Sequence, residues 1–136
     1  LVPKGYNIFH VPRQKYRGGG VGIIFKETLK LQQQTTSSFT SFECIESLLL
    51  AGNDCIRICV IYRPPSGGKT GQPTAVFLDE FEDYIDSHAT TSGQLLICGD
   101  FNFHVEDPAN EDAKRFKDVL YSLNLQQHVK IGRAHV

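Results

Sequence analysis

The stretch that most constrains how this chain folds is LLICGDFNFHVEDP, residues 95–108. It opens with a four-residue apolar run, which is too short for a helix and predicts a strand buried on both faces. Gly99 then lets the backbone turn tightly, and Asp100 and Asn102 follow where the strand ends. The pattern predicts a carboxylate and an amide held on a rigid support at a solvent-facing edge, as a hydrolytic site requires.

Upstream of this stretch, the sequence predicts a series of short strands. Runs rich in β-branched and aromatic residues alternate with turn residues. A Gly52-Asn53-Asp54 turn between two apolar runs predicts an antiparallel hairpin, and Pro64 ends its second strand because proline cannot continue a central strand. The predicted strands are residues 6–11, 21–26, 29–33, 42–50 and 55–62.

Two amphipathic helices are predicted in the second half. Residues 75–88 place apolar side chains on one face, with Thr74 as the expected N-cap and acidic residues in the first turns. His88 is interpreted as a residue of the helix end rather than a metal ligand. Residues 111–123 form the second helix, with Asn110 capping its start and Asn124 its end. Residues 125–129 are expected to begin a further strand.

The composition is that of one globular domain. The chain has 136 residues, is 40% hydrophobic and carries a net charge of −1. No apolar run reaches membrane-spanning length, and no secretory signal opens the chain, so no membrane partner is predicted. The four cysteines form no C-x-x-C pair, so we expect buried free thiols in a reducing compartment rather than structural zinc or a disulfide framework; they are Cys44, Cys55, Cys59 and Cys98.

Charge is distributed unevenly along the chain. Residues 1–26 contain five basic residues and no acidic one, whereas residues 70–113 contain ten acidic residues and no lysine or arginine. A basic N-terminal segment can follow a phosphate backbone, and it can equally be a solvated surface. The order of elements predicts a mixed α/β domain whose helices cover one face of the sheet, while the other face packs on something further.

Three strings in this order resemble the endonuclease/exonuclease/phosphatase superfamily. They are R-G-G-G-V-G at residues 17–22, V-I-Y-R-P-P at 60–65, and L-L-I-C-G-D-F-N-F-H-V-E-D-P at 95–108. Their order and wording look most like the endonuclease domain that precedes the reverse transcriptase in non-LTR retrotransposons. The resemblance implies a partial DNase I-like α/β sandwich over residues 1–129, in which two packed mixed sheets are flanked by helices.

The resemblance also implies roles for individual residues in the hydrolysis of a phosphodiester. Asp100 matches the aspartate that orients or deprotonates the attacking water, and Asn102 matches the asparagine that holds the scissile phosphate. Tyr62 matches the active-site tyrosine that stabilises developing charge. The residue types alone leave simpler interpretations open, because an Asp-x-Asn is often a turn and a strand-end tyrosine is often a rim residue. Weaker candidates for substrate contact are Arg63, His104 and Arg17.

The resemblance further implies Mg²⁺ as cofactor, DNA as substrate, a reverse transcriptase domain downstream and action in the nucleus. The family binds Mg²⁺ chiefly through a glutamate that lies before the start of this chain, and its late Asp-His pair is also not found. The metal site is therefore expected to be incomplete, and the chain inactive alone. Alternatives are a non-catalytic remnant or DNA-binding fragment, and a phosphoesterase that acts on another phosphate ester. Residues 130–136 lose the family pattern and are expected to be a non-native tail.

Overall fold

The computed structural model describes residues 2–14 and 17–129. Six strands and two helices follow one another within these residues, and neither helix is long and apolar enough to cross a membrane. The strands are β1 (Tyr6–Pro12), β2 (Gly20–Lys26), β3 (Lys30–Gln34), β4 (Glu43–Ala51), β5 (Asp54–Tyr62) and β6 (Gln94–Asp100). The helices are α1 (Thr74–Asp86), between β5 and β6, and α2 (Glu111–Ser122).

The strands form two sheets. β1 and β2 pair as an antiparallel hairpin, and the other four form a mixed sheet in the order β3-β4-β5-β6. β4 and β5 are joined by the expected tight turn, with Ala51 opposite Asp54. β6 runs parallel to β5, which is possible because α1 provides the crossover between them.

The two helices cover one face of the four-stranded sheet, as predicted. Phe77 and Phe81 of α1 are fully buried against Cys59 and Ile61 of β5, and Phe116 of α2 joins the same core. Aromatic rings from α1, α2 and the segment after β6 contact one another at centroid distances of 4.5–6.3 Å. This aromatic core fixes the loop that carries Asn102 relative to the end of β5.

The β1–β2 hairpin packs on the opposite face of the sheet. β2 contacts β4 and β5, burying Val21 and Phe25, and Ile45 of β4 is completely buried although its neighbour Cys44 points toward the helices. The layers are therefore helices, four-stranded sheet and hairpin. This mixed α/β arrangement is consistent with a partial DNase I-like sandwich, as the resemblance implied.

Several predictions about the elements are wrong. β6 is not buried on both faces: Leu96 is 49% exposed and Cys98 is exposed, because the described residues cover only the helix side of this strand. Residues 125–129 form no strand. Thr74 is not the N-cap, which is Pro73, and the first turn of α1 contains no acidic residue. The Thr74 hydroxyl instead donates to Asp112 and accepts from Arg63.

Other expectations are confirmed in detail. The side chain of Asn110 caps α2 by accepting from the Ala113 amide at 2.8 Å, and Asn124 takes the left-handed conformation just after the helix. Cys44 and Cys59 are buried free thiols, whereas Cys55 is only partly buried. The predicted tail, residues 130–136, lies outside the described residues.

Glu80 of α1 ties the helix to the segment before β4. Its carboxylate accepts hydrogen bonds from the backbone amides and hydroxyls of Thr40 and Ser41. Burial opposes ionisation, but these hydrogen bonds outweigh it and hold the pKa of Glu80 below its ordinary value. A depressed pKa in the folded state means that the carboxylate stabilises the fold above its unfolded pKa and loses this effect as the pH falls through the folded pKa.

We therefore expect Glu80→Gln to lower the free energy of unfolding by about 1 kcal/mol at pH 7, because this residue is only partly buried. The difference from wild type should shrink as the pH falls through the folded pKa. Urea unfolding at a series of pH values measures this, with Glu82→Gln on the same helix as control. A difference that stays constant down to pH 3 would contradict the assignment.

Candidate active site

A row of three polar side chains crosses one end of the four-stranded sheet. Glu43 of β4 lies opposite Tyr62 of β5, and Tyr62 lies opposite Asp100 of β6. Residues paired in register point to the same face of a sheet, here the face that carries the hairpin. The row includes the carboxyl ends of the parallel strands β5 and β6, where open α/β sheets place their ligands. The structure thus brings Tyr62 and Asp100 together, although they lie 38 positions apart in the sequence.

Asp100 and Asn102 form a tight turn after β6. The backbone N–H of Asn102 donates to Asp100 Oδ1 at 3.0 Å, and Asn102 has a left-handed backbone with φ 51°. Its side-chain Nδ2 donates to the Arg63 carbonyl at 2.7 Å. The Asx turn that residue types alone allowed is therefore present. This turn holds the exposed residues Asp100 and Asn102 in a fixed mutual geometry. One N–H of the Asn102 side-chain amide remains for another acceptor.

Arg63 lies beneath this turn rather than on the surface. Its side chain is buried, with the residue only 2% exposed, and its guanidinium donates to the carbonyls of Phe101 and Asn102 and to the Thr74 hydroxyl. The guanidinium carbon also stacks 4.1 Å from the Phe103 ring centroid. Burial lowers the pKa of Arg63, and nearby Asp112 opposes that shift. Because the guanidinium is enclosed, this placement favours a positioning role over the substrate contact that we had considered.

Glu43 and Arg13 are residues of this edge that the motifs did not indicate. Arg13, just after β1, forms an ion pair with Glu43 through Nε and Oε1, and its guanidinium carbon lies 5.7 Å from the Tyr62 ring centroid. Gly19 of the R-G-G-G string covers this guanidinium, since a Cβ there would come within 2.5 Å of Arg13 Cζ. Glu43 Oε2 is buried without a hydrogen-bond partner in the described part of the chain.

The remaining candidates lie apart from the ion pair. His104 has a side chain that is 76% exposed, and its Nδ1 is 3.4 Å from Glu106 Oε1. Arg17 is exposed beside the glycine string. A cleft of about 590 Å³ opens next to the row, between Arg13, Glu43, Pro64 and the polar segment 33–42. Hydroxyls and amides from that segment line the cleft.

The described residues do not provide a complete Mg²⁺ site at this edge. Glu43 and Asp100 belong to strands separated by β5, and Glu43 is already paired with Arg13. Mg²⁺ requires close octahedral coordination by oxygen atoms. The three-residue group of possible metal ligands found in residues 2–14 and 17–129 is Glu46, Cys59 and His88, whose thiol is unsuited to Mg²⁺.

Comparison with known proteins places the chain in a family. A comparison with curated proteins gives no match, but the sequence profile of the Endonuclease/Exonuclease/phosphatase family matches residues 1–133. This match covers the hairpin, the four-stranded sheet and both helices, and it includes the row at the sheet edge. The chain therefore belongs to the endonuclease/exonuclease/phosphatase family.

Proposed function

We propose that this chain is part of a DNA phosphodiesterase of the kind found as the endonuclease domain of non-LTR retrotransposons. The observation that supports it most is the register that aligns Tyr62 with Asp100 at the carboxyl ends of β5 and β6. Asn102 follows on a turn whose geometry the backbone fixes. Membership of the family supports phosphodiesterase or nuclease chemistry.

In this proposal each residue of the edge has a separate task. The exposed Asp100 carboxylate orients an attacking water and accepts its proton. The free N–H of Asn102 donates to a phosphate oxygen without adding charge, and the Tyr62 hydroxyl donates to the charge that develops on the phosphate. Family members typically depend on a divalent metal. The described residues do not form a Mg²⁺ site, and the tasks above belong to side chains of this chain.

The surroundings of the row support a nucleic acid strand as the substrate. The cleft beside Glu43 is lined by Thr35, Thr36, Ser37 and Ser38, and hydroxyls of this kind bind phosphate and sugar oxygens. The basic N-terminal segment adds favourable charge through residues such as Arg17 and Lys26. We further propose that the parent protein carries a reverse transcriptase domain downstream and acts in the nucleus. We propose Mg²⁺ as the cofactor of the complete endonuclease domain.

The test is a nicking assay on supercoiled plasmid in Mg²⁺, using the longest natural gene product that contains this chain. Asp100→Asn keeps the size of the side chain but removes its basicity, so we expect at least a hundredfold loss of rate. Asp118→Asn, on the exposed side of α2, is the matched control and should nick at the wild-type rate. Unchanged nicking by the Asp100→Asn variant would contradict the role of Asp100.

A second candidate function is DNA binding without cleavage. It is favoured by the incomplete set of metal ligands and by the Arg13–Glu43 ion pair, which occupies a carboxylate of the row. Strongly salt-dependent duplex binding without nicking would support it. Turnover of a small phosphate ester in preference to plasmid DNA would instead indicate a phosphoesterase with another substrate.

A further inference from the structure

A second cluster of reactive side chains lies on the other face of the sheet, beneath α1. Glu46 of β4 is paired in register with Cys59 of β5, and both point toward the helices. His88, just beyond the end of α1, completes the cluster. Glu46 is 3% exposed and Cys59 fully buried, while the His88 side chain is 13% exposed. The three side chains therefore come from β4, β5 and the segment just after α1, and solvent reaches them through the partly exposed His88.

The distances within the cluster suit a single small cation. The three potential ligand atoms all lie within 4.8 Å of one another, with His88 Nε2 at 2.9 Å and Cys59 Sγ at 3.9 Å from Glu46 Oε1. In a tetrahedral zinc site, bonds of about 2.1–2.3 Å separate neighbouring ligand atoms by about 3.4–3.7 Å. The two distances to Glu46 Oε1 differ from that spacing by about half an ångström or less, and the Cys59–His88 distance by at most about 1.4 Å.

Hydrogen bonding leaves part of this cluster unsatisfied. His88 Nε2 is buried and has no hydrogen-bond partner in the described part of the chain, because its contact with Glu46 lacks hydrogen-bond geometry. Arg57 donates to Glu46 Oε1 at 2.9 Å, but a carboxylate offers about four lone-pair directions and is not exhausted by one donor. The cluster thus retains acceptor atoms that a cation would satisfy.

Tyr84 provides the outer contact that zinc thiolates commonly have. Its hydroxyl donates to Cys59 Sγ at 3.2 Å, and its ring lies edge-on to His88 at a centroid distance of 4.9 Å. An outer hydrogen bond of this kind orients a ligand and stabilises its charged form.

We propose that Glu46, Cys59 and His88 bind one Zn²⁺ ion that fastens the end of α1 to the sheet. One thiolate, one imidazole and one carboxylate form a donor set that prefers zinc to Mg²⁺ or Ca²⁺. On binding, the Cys59 thiol loses its proton to solvent and the sulfur bonds to the metal. These three protein ligands leave a fourth position for a solvent molecule. The site lies on the opposite face of the sheet from Asp100, so its presence is independent of the proposed nuclease function.

The experiment uses Co²⁺ as a spectroscopic substitute for Zn²⁺ on the purified full chain. We expect one Co²⁺ per chain, with a sulfur-to-cobalt charge-transfer band that Zn²⁺ abolishes by displacement. Zn²⁺ at a hundredfold excess over its Kd should raise Tm by about 8 °C. The Cys59→Ser variant should lose the band, and His88→Gln should weaken binding at least tenfold and remove most of the rise in Tm.

The matched controls are Cys98→Ser and His104→Gln, which change an exposed cysteine and an exposed histidine away from the cluster. Both should bind Co²⁺ as wild type does. If Cys59→Ser fails to fold, His88→Gln decides the question, because His88 follows α1 and its replacement opens no cavity in the aromatic core. A wild-type protein that shows no band in excess Co²⁺, or a band lost in Cys98→Ser but kept in His88→Gln, would overturn the proposal.

Discussion

Gly99→Ala is expected to lower the free energy of unfolding by about 4 kcal/mol, the sum of backbone strain and overpacking against a neighbouring strand. Gly99 has a φ of +144°, which L side chains rarely adopt, and a Cβ there would lie 1.8 Å from the Ile61 carbonyl oxygen. That oxygen belongs to the centre of the sheet and cannot move away without breaking the pairing of β5 with β6. Urea unfolding and Tm measure the effect, and Tm should fall by about 12 °C.

The control for this variant is Gly52→Ala in the turn between β4 and β5. Gly52 also has a positive φ, of +61°, but nothing lies within 4 Å of a Cβ built there. The cost should therefore be only the left-handed strain, about 1 kcal/mol. Equal destabilisation by the two variants would show that close approach to Ile61 is not the reason for glycine at 99. If Gly99→Ala still folds but with Asp100 displaced, we expect it to lose the proposed nicking activity even at temperatures below its Tm.

Most of the fold could be predicted because local patterns specify it. The two-residue turn at Gly52-Asn53 fixes the register of β4 and β5. Counting outward from Ala51 and Asp54 places Glu43 opposite Tyr62 and Glu46 opposite Cys59, so the sequence contained the information to find both pairs. Glu43 lies in none of the three strings of the family resemblance, so the motifs alone do not indicate it.

The rest of the site depends on contacts that no local pattern encodes. The alignment of Asp100 with Tyr62 requires the parallel register of β5 and β6, which α1 and its packing determine. The exposed side of β6 was predicted to be buried because apolar composition does not reveal which face of a strand is covered. Arg63 followed Tyr62 in a recognisable motif, but only the structure shows that its side chain turns inward under the Phe101–Phe103 segment.

Because the Arg63 side chain is buried under this segment, Arg63→Met is the second substitution for which we expect a large loss of stability. The substitution removes charge-assisted hydrogen bonds to the Phe101 carbonyl and to the Thr74 hydroxyl, each at 3.1 Å, and leaves the partly buried Phe101 carbonyl without this donor. Methionine recovers some of the packing against Phe103. We expect a net loss of about 3 kcal/mol in the free energy of unfolding, with a fall in Tm of about 9 °C.

Arg63→Lys separates the charge of this residue from its geometry. Lysine keeps the positive charge but lacks the planar fork that reaches both the loop carbonyl and Thr74, so it should recover less than half of the loss. Arg115→Met removes an exposed arginine whose contact with Asp112 is 3.8 Å long, and should cost less than about 0.5 kcal/mol. If Arg63→Met is as stable as the Arg115→Met control, the guanidinium does not hold the turn, and Arg63 returns as a candidate for direct contact with the phosphate. If Arg63→Met loses stability as expected, the fixed geometry of Asp100 and Asn102 depends on the buried guanidinium of Arg63.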